Sequence, residues 1–372
     1  MKFTCNQQSL SKALTTVSKA VSTRTTIPIL KGILLKVNSD GTLTLSASDL
    51  DLSIEKTIDV NEHKEGSIVV LSKLFGDIIR KLPNEEILIE EKENNNILIK
   101  TSTTEFVIVG LPADEFPKIG QINEELNTLS FEQVILKDMI KKTSFAASID
   151  ESKGIIVGVL LEIEPDGLNM IALDGFRMAV TRKQMKNKEK MNIIISAKIL
   201  TEINKIISES NENSIVKLMV SNKKAILLIE GTKVVMRLLE GEFIKYKDIL
   251  PKQEQIKILI NKATLLNSIE RASLLAKEGK NNLIKFTVKN NLLTITSRSE
   301  EGNVKEEVIM EKQGDDIEIG FNSKYVIDVL KIIDDEEVIM EFNTNTTPCL
   351  VKPISGNAFE YLILPVRISS AQ

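Results

Sequence analysis

The sequence predicts an α+β fold of three similar domains, in which helices cover one face of antiparallel sheets. Two observations carry this prediction. Helices of matching character recur roughly 126 residues apart, and alternating β-branched runs joined by Asn, Asp and Gly turns lie between them. A chain of 372 residues is long enough for two or three domains. Each domain is expected to use a unit of strand, helix and about three strands twice.

Six segments have the apolar spacing of helices, and they form two sets of three. The first set covers residues 8–21, 135–147 and 261–276. The second set covers residues 72–82, 196–207 and 322–333, and each member begins with a Ser or Asn that can cap the first turn. We therefore expect two helices in each domain.

Strands are predicted from short apolar or alternating runs bounded by turn residues. They cover residues 32–37, 42–47, 86–91, 97–101, 217–221, 225–230, 292–297 and 338–342, with strands at 67–70, 192–195 and 256–260 leading into helices. Similar exit segments at residues 106–117, 234–251 and 360–366 close the three repeats. The predicted domains are therefore 1–126, 127–253 and 254–372.

Composition excludes several classes of protein. Apolar residues make up 42% and charged residues 27% of the chain, which is typical of a folded globular protein. With no Trp and only 3 Tyr, an aromatic platform for nucleic-acid bases is not expected. The start lacks an apolar signal segment, and no apolar run approaches the ~18 residues of a membrane span, so we expect a cytoplasmic protein without membrane contact.

The reactive residues do not indicate an enzyme. Cys5 and Cys349 are too few for a disulfide framework and predict two reduced, partly buried thiols. The single histidine, His63, lies in a charge-rich segment that predicts an exposed turn. Phosphate-loop, dinucleotide and zinc-hydrolase motifs are missing, and the acidic pairs Asp49/Asp51 and Asp334/Asp335 are typical of solvated turns. We expect no catalytic residue, no metal and no cofactor.

The net charge of −4 argues against a nucleic-acid partner, but its distribution argues for one. The six predicted helices carry +9, so the rest of the chain carries −13. A single basic helix is usually only a solvated face, whereas six related ones favour a shared basic surface for backbone phosphates, read without sequence preference. An acidic protein-interaction scaffold without DNA remains the alternative, and an enzyme acting through one acidic pair is a third possibility.

Seven motifs occur in order along the chain: MKFT at 1–4, RTTIPIL at 24–30, SDL at 48–50, LPADEFP at 111–117, LDGFR at 173–177, IGFN at 319–322 and LPVR at 364–367. Together they resemble the bacterial DNA polymerase III beta subunit family, the replicative sliding clamps. The resemblance implies the DNA clamp fold and a head-to-tail homodimeric ring around duplex DNA. It also implies that the ring tethers the replicative DNA polymerase, and that the clamp loader and other proteins with a clamp-binding motif share its partner pocket.

The resemblance also implies roles for individual residues. The residues implied to face DNA are Arg24, Lys73, Arg80, Lys137, Lys141, Lys153, Lys198 and Lys205. Lys153 belongs to a loop around Asp150 that would also approach the DNA. The dimer interface would use Phe106 on an edge strand with Leu274 and Leu275 on a helix, for which a role in the core of a monomer is the competing interpretation.

A pocket for partner peptides is implied between the second and third domains. Phe176 stands where several relatives have His, which should make the pocket wall more apolar. The implied pocket residues are Ile156, Leu173, Gly175, Phe176, Arg177, Met178, Ile244 and Ile249 on one side, and Asn322, Tyr325, Thr346, Pro348, Leu362, Leu364, Pro365, Val366 and Arg367 on the other. Without the resemblance, many of them would be interpreted as ordinary core residues.

Overall fold

The structure of the chain is a computed structural model that describes residues 1–22, 25–120, 127–187, 190–207, 214–251 and 254–368. It divides into two compact units. Unit 1 consists of Met1–Val134 with Lys205–Leu238, and unit 2 consists of Ile135–Asn204 with Leu239–Gln372. Both units combine antiparallel sheets with helices, as predicted for an α+β fold. The predicted domain boundaries, after residues 126 and 253, fall outside the described residues and stay predictions.

All six predicted helices are present in the described ranges. They are α1 (Gln7–Val17), α2 (Ser72–Lys81), α3 (Gln133–Thr143), α4 (Ala197–Ile206), α5 (Lys262–Ala276) and α6 (Ser323–Ile332).

Asparagine side chains begin three of these helices. The Oδ1 atoms of Asn6, Asn261 and Asn322 accept main-chain N–H groups of the first turns of α1, α5 and α6. The ends of α1 and α3 come earlier than predicted, because 3₁₀ turns at Ser18–Ala20 and Ser144–Ala146 replace the last α-helical turn. At both places the serine hydroxyl donates to the carbonyl four residues back, which tightens the helix end.

The predicted strands are found to within two residues of their expected limits, and further strands lie between them. The strands of the described chain are β1 (Lys2–Asn6), β2 (Gly32–Val37), β3 (Thr42–Ser48), β4 (Leu52–Asp59), β5 (Asn61–Lys64), β6 (Gly66–Leu71), β7 (Glu86–Glu91), β8 (Asn96–Lys100), β9 (Glu105–Val109), β10 (Leu111–Pro112), β11 (Asn127–Glu132), β12 (Gly158–Glu164), β13 (Gly167–Leu173), β14 (Arg177–Gln184), β15 (Met191–Ser196), β16 (Ile215–Val220), β17 (Lys224–Ile229), β18 (Thr232–Arg237), β19 (Ile256–Asn261), β20 (Leu283–Lys289), β21 (Leu292–Ser299), β22 (Gly302–Ile309), β23 (Glu311–Gln313), β24 (Ile317–Asn322), β25 (Glu337–Phe342), β26 (Cys349–Lys352) and β27 (Phe359–Ile363).

These strands form four antiparallel sheets, two in each unit. Unit 1 has a five-stranded sheet in the order β5-β1-β7-β8-β9 and a nine-stranded sheet in the order β10-β6-β2-β3-β4-β18-β17-β16-β11. Unit 2 has a nine-stranded sheet in the order β15-β12-β13-β14-β27-β26-β25-β19-β23 and a four-stranded sheet in the order β22-β21-β20-β24. Most inward residues of the strands are Ile, Leu and Val, and they pack beneath the amphipathic helices.

Each nine-stranded sheet joins strands that are far apart in sequence. In unit 1, β4 pairs with β18 from Leu52↔Met236 to Lys56↔Thr232, and we call this pairing the first junction. In unit 2, β14 pairs with β27 from Arg177↔Ile363 to Thr181↔Phe359, and we call this pairing the second junction.

Two sequence predictions about reactive residues are wrong in detail. His63 does not lie in a turn, because Asn61–Lys64 pairs with β1 as an edge strand although its side chains are exposed. Cys5 and Cys349 are unpaired as expected, but both are fully buried rather than partly buried. Burial, with a smaller contribution from Glu86, raises the pKa of Cys5 to about 12, so this thiol stays protonated and unreactive at neutral pH.

Candidate functional site

The turn between β13 and β14 is the local feature on which the candidate pocket is built. The Oδ1 atom of Asp174 accepts the main-chain N–H groups of Phe176 at 2.8 Å and Arg177 at 3.0 Å. Gly175 has φ +92°, a conformation that glycine adopts without strain. This turn holds the Phe176 side chain outward, where it is 54% exposed. The side chain of the next residue, Arg177, contacts Asp328 and Phe145 at the second junction.

Arg177 connects the two sides of the second junction. Its guanidinium donates to Asp174 at 3.1 Å, to Asp328 on α6 at 2.6 Å and to the carbonyl oxygen of Phe145 at 2.9 Å. The side chain is only 10% exposed. Its carbon Cζ lies 4.8 Å from the ring centre of Tyr325 and 5.2 Å from that of Phe145. Charge-assisted hydrogen bonds and cation–π contacts therefore fix this arginine from several sides.

Phe176 extends this arrangement to the surface. Its ring stacks on Tyr325 with a centroid distance of 6.0 Å and an interplanar angle of 17°. Burial and the carboxylate of Asp174 raise the pKa of Tyr325, so the phenol is neutral. The rings of Phe145, Tyr325 and Phe176 and the Arg177 guanidinium thus form one stack, which ends at an exposed aromatic face.

A connector, residues 239–250, forms one wall of the candidate site. Leu239, Phe243, Tyr246 and Leu250 pack against a buried cluster on the sheet that includes Leu160, Ile171, Leu173, Met178, Ile194 and Leu362. Ile244 and Ile249, on the same connector, are exposed. A groove of about 580 Å³ runs between the connector and strands β12 and β15. The wall therefore combines a buried apolar base with apolar side chains at its rim.

Glu162 anchors the connector from beneath. Its carboxylate accepts hydrogen bonds from the Tyr246 hydroxyl at 2.8 Å, from Asn169 at 2.9 Å and from the Lys247 ammonium at 2.9 Å. Burial alone would raise the pKa of Glu162, but these three donors outweigh it and lower the pKa. The carboxylate is therefore ionised at neutral pH and holds the connector against the sheet.

The segment after β27 packs against the same buried cluster and forms a second wall. The N–H of Leu364 donates to the carbonyl oxygen of Phe176 at 2.9 Å, and the N–H of Val366 donates to the carbonyl oxygen of Gly320 at 2.8 Å. A Cβ on Gly320 would lie 2.7 Å from the Val366 oxygen, so only glycine permits this approach. Pro365 and Val366 are half-buried and Arg367 is exposed.

The predicted pocket residues occupy different positions around this site. Phe176, Arg177, Tyr325 and Leu364 meet at the turn and its stack. Leu173, Met178 and Leu362 are buried in the cluster beneath the connector, and Ile156 packs against the same cluster. The Asn322 side chain caps α6, and Thr346 and Pro348 lie in the loop between β25 and β26.

Four contributors to the site were not expected from the sequence. Phe145 and Asp328 complete the stack around Arg177, and Glu162 and Tyr246 fix the connector. A glutamate at an inward position of an otherwise apolar strand is the one signal that could have indicated Glu162, because buried carboxylates need specific partners. Phe145 and Asp328 carry no comparable signal.

The predicted DNA-facing residues are mostly on the surface. Lys73, Arg80, Lys141, Lys153, Lys198 and Lys205 are exposed and Lys137 is half-buried, whereas Arg24 lies outside the described residues. Arg80 pairs with Asp77 at 3.0 Å, and Lys141 lies 3.9 Å from Asp334. Lys142, which was not predicted, pairs with Asp334 at 3.0 Å and lowers the pKa of that carboxyl. Part of the helical charge is thus balanced locally.

The loop at Asp150 and Lys153 has a defined conformation. The Asp150 carboxylate accepts the Ser152 N–H at 3.1 Å and the Ser152 hydroxyl at 2.7 Å, which lowers its pKa. Gly154 follows with φ +63° and ψ −127°, a backbone conformation open only to glycine. The loop therefore presents Lys153 on a short, hydrogen-bonded turn.

The predicted interface residues lie on or beside two sheet edges. Phe106 lies on the edge strand β9 with the exposed residues Val107 and Val109. Leu274 on α5 is 65% exposed and Leu275 is half-buried, and α5 packs against the edge strand β22. Phe106 and Leu274 are too exposed to be core residues of a monomer.

The acidic pairs singled out from the sequence have structural partners. The carboxylate of Asp49 accepts the N–H groups of Asp51 and Leu52, and Asp334 is paired with lysines. Within the described ranges, no three His, Cys, Asp or Glu side chains are grouped so that they could hold a metal ion. In the same ranges, no helix has both the length and the apolar character needed to cross a membrane.

Comparison with solved structures defines the class of this fold. A DNA polymerase sliding clamp from Bacillus subtilis has a TM-score of 0.94 at 32% identity and matches 99% of this chain and 100% of its own. A sliding clamp from Pseudomonas aeruginosa, solved bound to griselimycin, has a TM-score of 0.92 at 27% identity and also matches 99% of this chain and 100% of its own. The predicted fold class is confirmed.

Sequence comparison gives the family. Models for the N-terminal, central and C-terminal domains of the DNA polymerase III beta subunit match residues 1–120, 130–245 and 247–367. The Beta sliding clamp of Staphylococcus epidermidis is 35% identical over 378 residues, which is 99% of each chain. The chain therefore belongs to the DNA polymerase III beta subunit family. The resemblance found in its motifs is confirmed, and a scaffold that does not bind DNA is not favoured.

Proposed function

We propose that two copies of this chain join head to tail into a ring that encircles duplex DNA and acts as a sliding clamp for the replicative polymerase. The observation that carries this proposal, beside the family, is a pair of sheet edges with exposed apolar side chains on or beside them. Strand β9 exposes Phe106, Val107 and Val109, and β22 lies beside the exposed Leu274. Exposed edge strands readily pair with another strand, and a heterologous contact used twice closes a dimer.

In the proposed ring, DNA is held by charge and by topology. The basic residues of the helices and the Lys153 loop would contact backbone phosphates without reading sequence. Because Asp77 and Asp334 balance part of this charge, direct affinity for linear DNA should be weak and strongly salt-dependent. The closed ring would instead prevent escape, and it would keep a tethered enzyme at high local concentration.

The pocket at the second junction would bind short peptides of the polymerase, the clamp loader and other clamp-binding proteins. Its apolar connector, its exposed Phe176 face and the main-chain groups near Leu364 suit an apolar peptide with a few polar contacts. In this proposal the chain works in the cytoplasm and makes or breaks no covalent bond. The proposed function uses no cofactor and no metal.

The ring is tested by mass. Size-exclusion chromatography with light scattering should give twice the chain mass of 41.5 kDa at micromolar concentration. Replacing Phe106 and Leu274 with Asp should give monomers, because charges would replace apolar contacts. Replacing Ile354, an exposed isoleucine on the loop between β26 and β27, with Asp is the control and should leave the dimer intact. A wild-type monomer would contradict the proposal.

The DNA surface is tested by charge reversal. Changing Arg24, Arg80 and Lys198 to Glu should reduce retention on primed circular DNA after loading, because repulsion replaces phosphate attraction. Changing Lys183, Lys186 and Lys190, which are exposed on and after β14, to Glu is the matched control. Unchanged retention in the triple variant would favour the scaffold without DNA.

A further inference from the structure

A second, separate pocket lies on the four-stranded sheet of unit 2. It encloses about 260 Å³ over strands β20, β21 and β22, beside the segment that follows β27. None of its lining residues in the described chain is acidic. Its lining includes the apolar side chains of Leu283 and Ile368, the hydroxyl of Thr296, and three cations, Lys285, Arg298 and Lys305.

This pocket occupies a position that is filled elsewhere in the chain. The strand pairs Leu34↔Val69, Leu160↔Ile194 and Lys285↔Gly320 are equivalent, because in each case the second strand leads into α2, α4 or α6. At the first two positions a following segment packs over the apolar pair. Phe116 packs with Val69, and Tyr246 packs with Leu160 and Ile194. At the third position, Lys285 and Gly320 replace the apolar pair.

At each of the three positions, a later segment of the chain makes a main-chain contact with the second strand of the pair. Leu111 pairs with Val69, the N–H of Leu239 donates to Ile194, and the N–H of Val366 donates to Gly320. After this contact the first two segments read ADEFP at 113–117 and EGEFI at 240–244, with acidic residues beside a phenylalanine. Arg367 and Ile368, which follow Val366 in the described part of the chain, are neither acidic nor aromatic.

The first segment shows how such a sequence is accommodated. Phe116 is buried in the cluster, whereas Asp114 and Glu115 beside it are exposed. The corresponding surface of the third position carries three cationic side chains. Lys305 pairs with Glu307 at 2.6 Å and Lys285 lies 3.6 Å from Glu318, while Arg298 is exposed and has no carboxylate partner among the described residues.

We propose that this pocket is a docking site for an acidic, phenylalanine-bearing segment of a partner protein. The phenyl ring enters beside Leu283 and Ile368, as Phe116 enters its own cluster. The neighbouring carboxylates meet Arg298, Lys285 and Lys305, which gives charge complementarity across the rim. The site is distinct from the pocket at the second junction, since the two have no lining residue in common.

The test uses a probe taken from the chain itself. A fluorescent peptide of residues 111–118, LPADEFPK, capped at both ends, is titrated with the full-length protein and followed by anisotropy. We expect saturable binding that weakens as salt is raised. The double variant Lys285→Glu/Arg298→Glu, which leaves the edge strand β22 unchanged, should raise the Kd at least tenfold, and Thr296→Trp, which fills the pocket, should do the same. Peptides with Phe changed to Ala, or with both acids changed to amides, should bind at least tenfold more weakly.

Three controls keep the proposal open to refutation. The variant Lys183→Glu/Lys186→Glu makes the same charge change away from the pocket and should leave the Kd unchanged. Thermal unfolding of each variant should match wild type, because all substituted side chains lie at the surface or in the pocket. Binding abolished by Phe176→Ala would place the peptide in the second-junction pocket. That result, the absence of saturation at 1 mM protein, or an unchanged Kd in the double variant would overturn the proposal.

Discussion

The two sheet junctions share one backbone design and differ in their side chains. At each, an aspartate, Asp49 or Asp174, accepts two N–H groups of the turn that enters the junction strand. The residue after it has positive φ, +81° at Leu50 and +92° at Gly175. A following main-chain donor then closes each turn, from Arg237 to Asp51 and from Leu364 to Phe176.

The difference lies in what these turns carry. The first junction has an ion pair between Arg237 and Asp51 at 3.9 Å, with side chains 65% and 67% exposed. The second junction has the buried Arg177 with two carboxylates and two aromatic rings. The same backbone geometry therefore occurs at both junctions. The side chains differ, and only those of the second junction form a network of contacts beside the candidate pocket.

The largest expected effect comes from removing the arginine at each junction. Arg177→Ala should cost about 3 kcal/mol of unfolding free energy, because it leaves partly buried carboxylates without their partner. Arg237→Ala should cost less than about 0.5 kcal/mol, because its pair is exposed. Urea unfolding of both variants, followed by circular dichroism, measures the two losses. Equal losses would remove the distinction between the junctions.

Exchanging the residues of positive φ in the two turns, Leu50 and Gly175, should change the stability by smaller amounts and in opposite directions. Leu50→Gly should stabilise the chain by about 1 kcal/mol, because a leucine side chain is strained at positive φ. Gly175→Leu should destabilise it by about 1 to 2 kcal/mol for the same reason, since no atom lies within 4 Å of an added Cβ to cause a clash. Melting temperatures measure both changes. Loss of stability in Leu50→Gly would mean that the Leu50 side chain makes a contact that outweighs its strain.

The smallest expected effect concerns pH and the connector. The folded-state pKa of Glu162 is lowered, so its hydrogen bonds stabilise the protein above its ordinary pKa of about 4.3 and are lost as pH falls through the lowered value. The equivalent residue in β2 is Lys36, which is exposed. Glu162→Gln should therefore lower the melting temperature at pH 7 and have less effect at pH 3. An effect that grows toward pH 3 would contradict this assignment.

The helices and most sheet limits could be predicted because their signals are local. Apolar spacing, the capping residue Asn322 and the turns between strands each depend on a few adjacent positions, although Ser72, predicted to cap α2, makes no capping hydrogen bond. The sequence predicts a turn at His63, and not the observed strand β5, because an exposed edge strand with charged side chains has no apolar alternation to indicate it.

The candidate site was only partly accessible from the sequence. The motif at 173–177 indicated the turn and its resemblance to the family, but Arg177 meets Asp328 from a helix 151 residues further along the chain. No local pattern pairs a given arginine with one of many carboxylates. The pairing of β14 with β27, which brings the two walls together, is likewise a long-range contact.

The central claim is that the chain holds DNA as a closed ring, and retention on DNA of different topology tests it most directly. The protein is loaded onto nicked circular DNA with a cognate clamp loader and ATP, separated from free protein by gel filtration, and the DNA is then cut once. We predict that the clamp stays with the circle through filtration in 0.5 M salt and leaves after linearisation. Equal retention on circular and linear DNA, or loss from the circle before it is cut, would contradict the account.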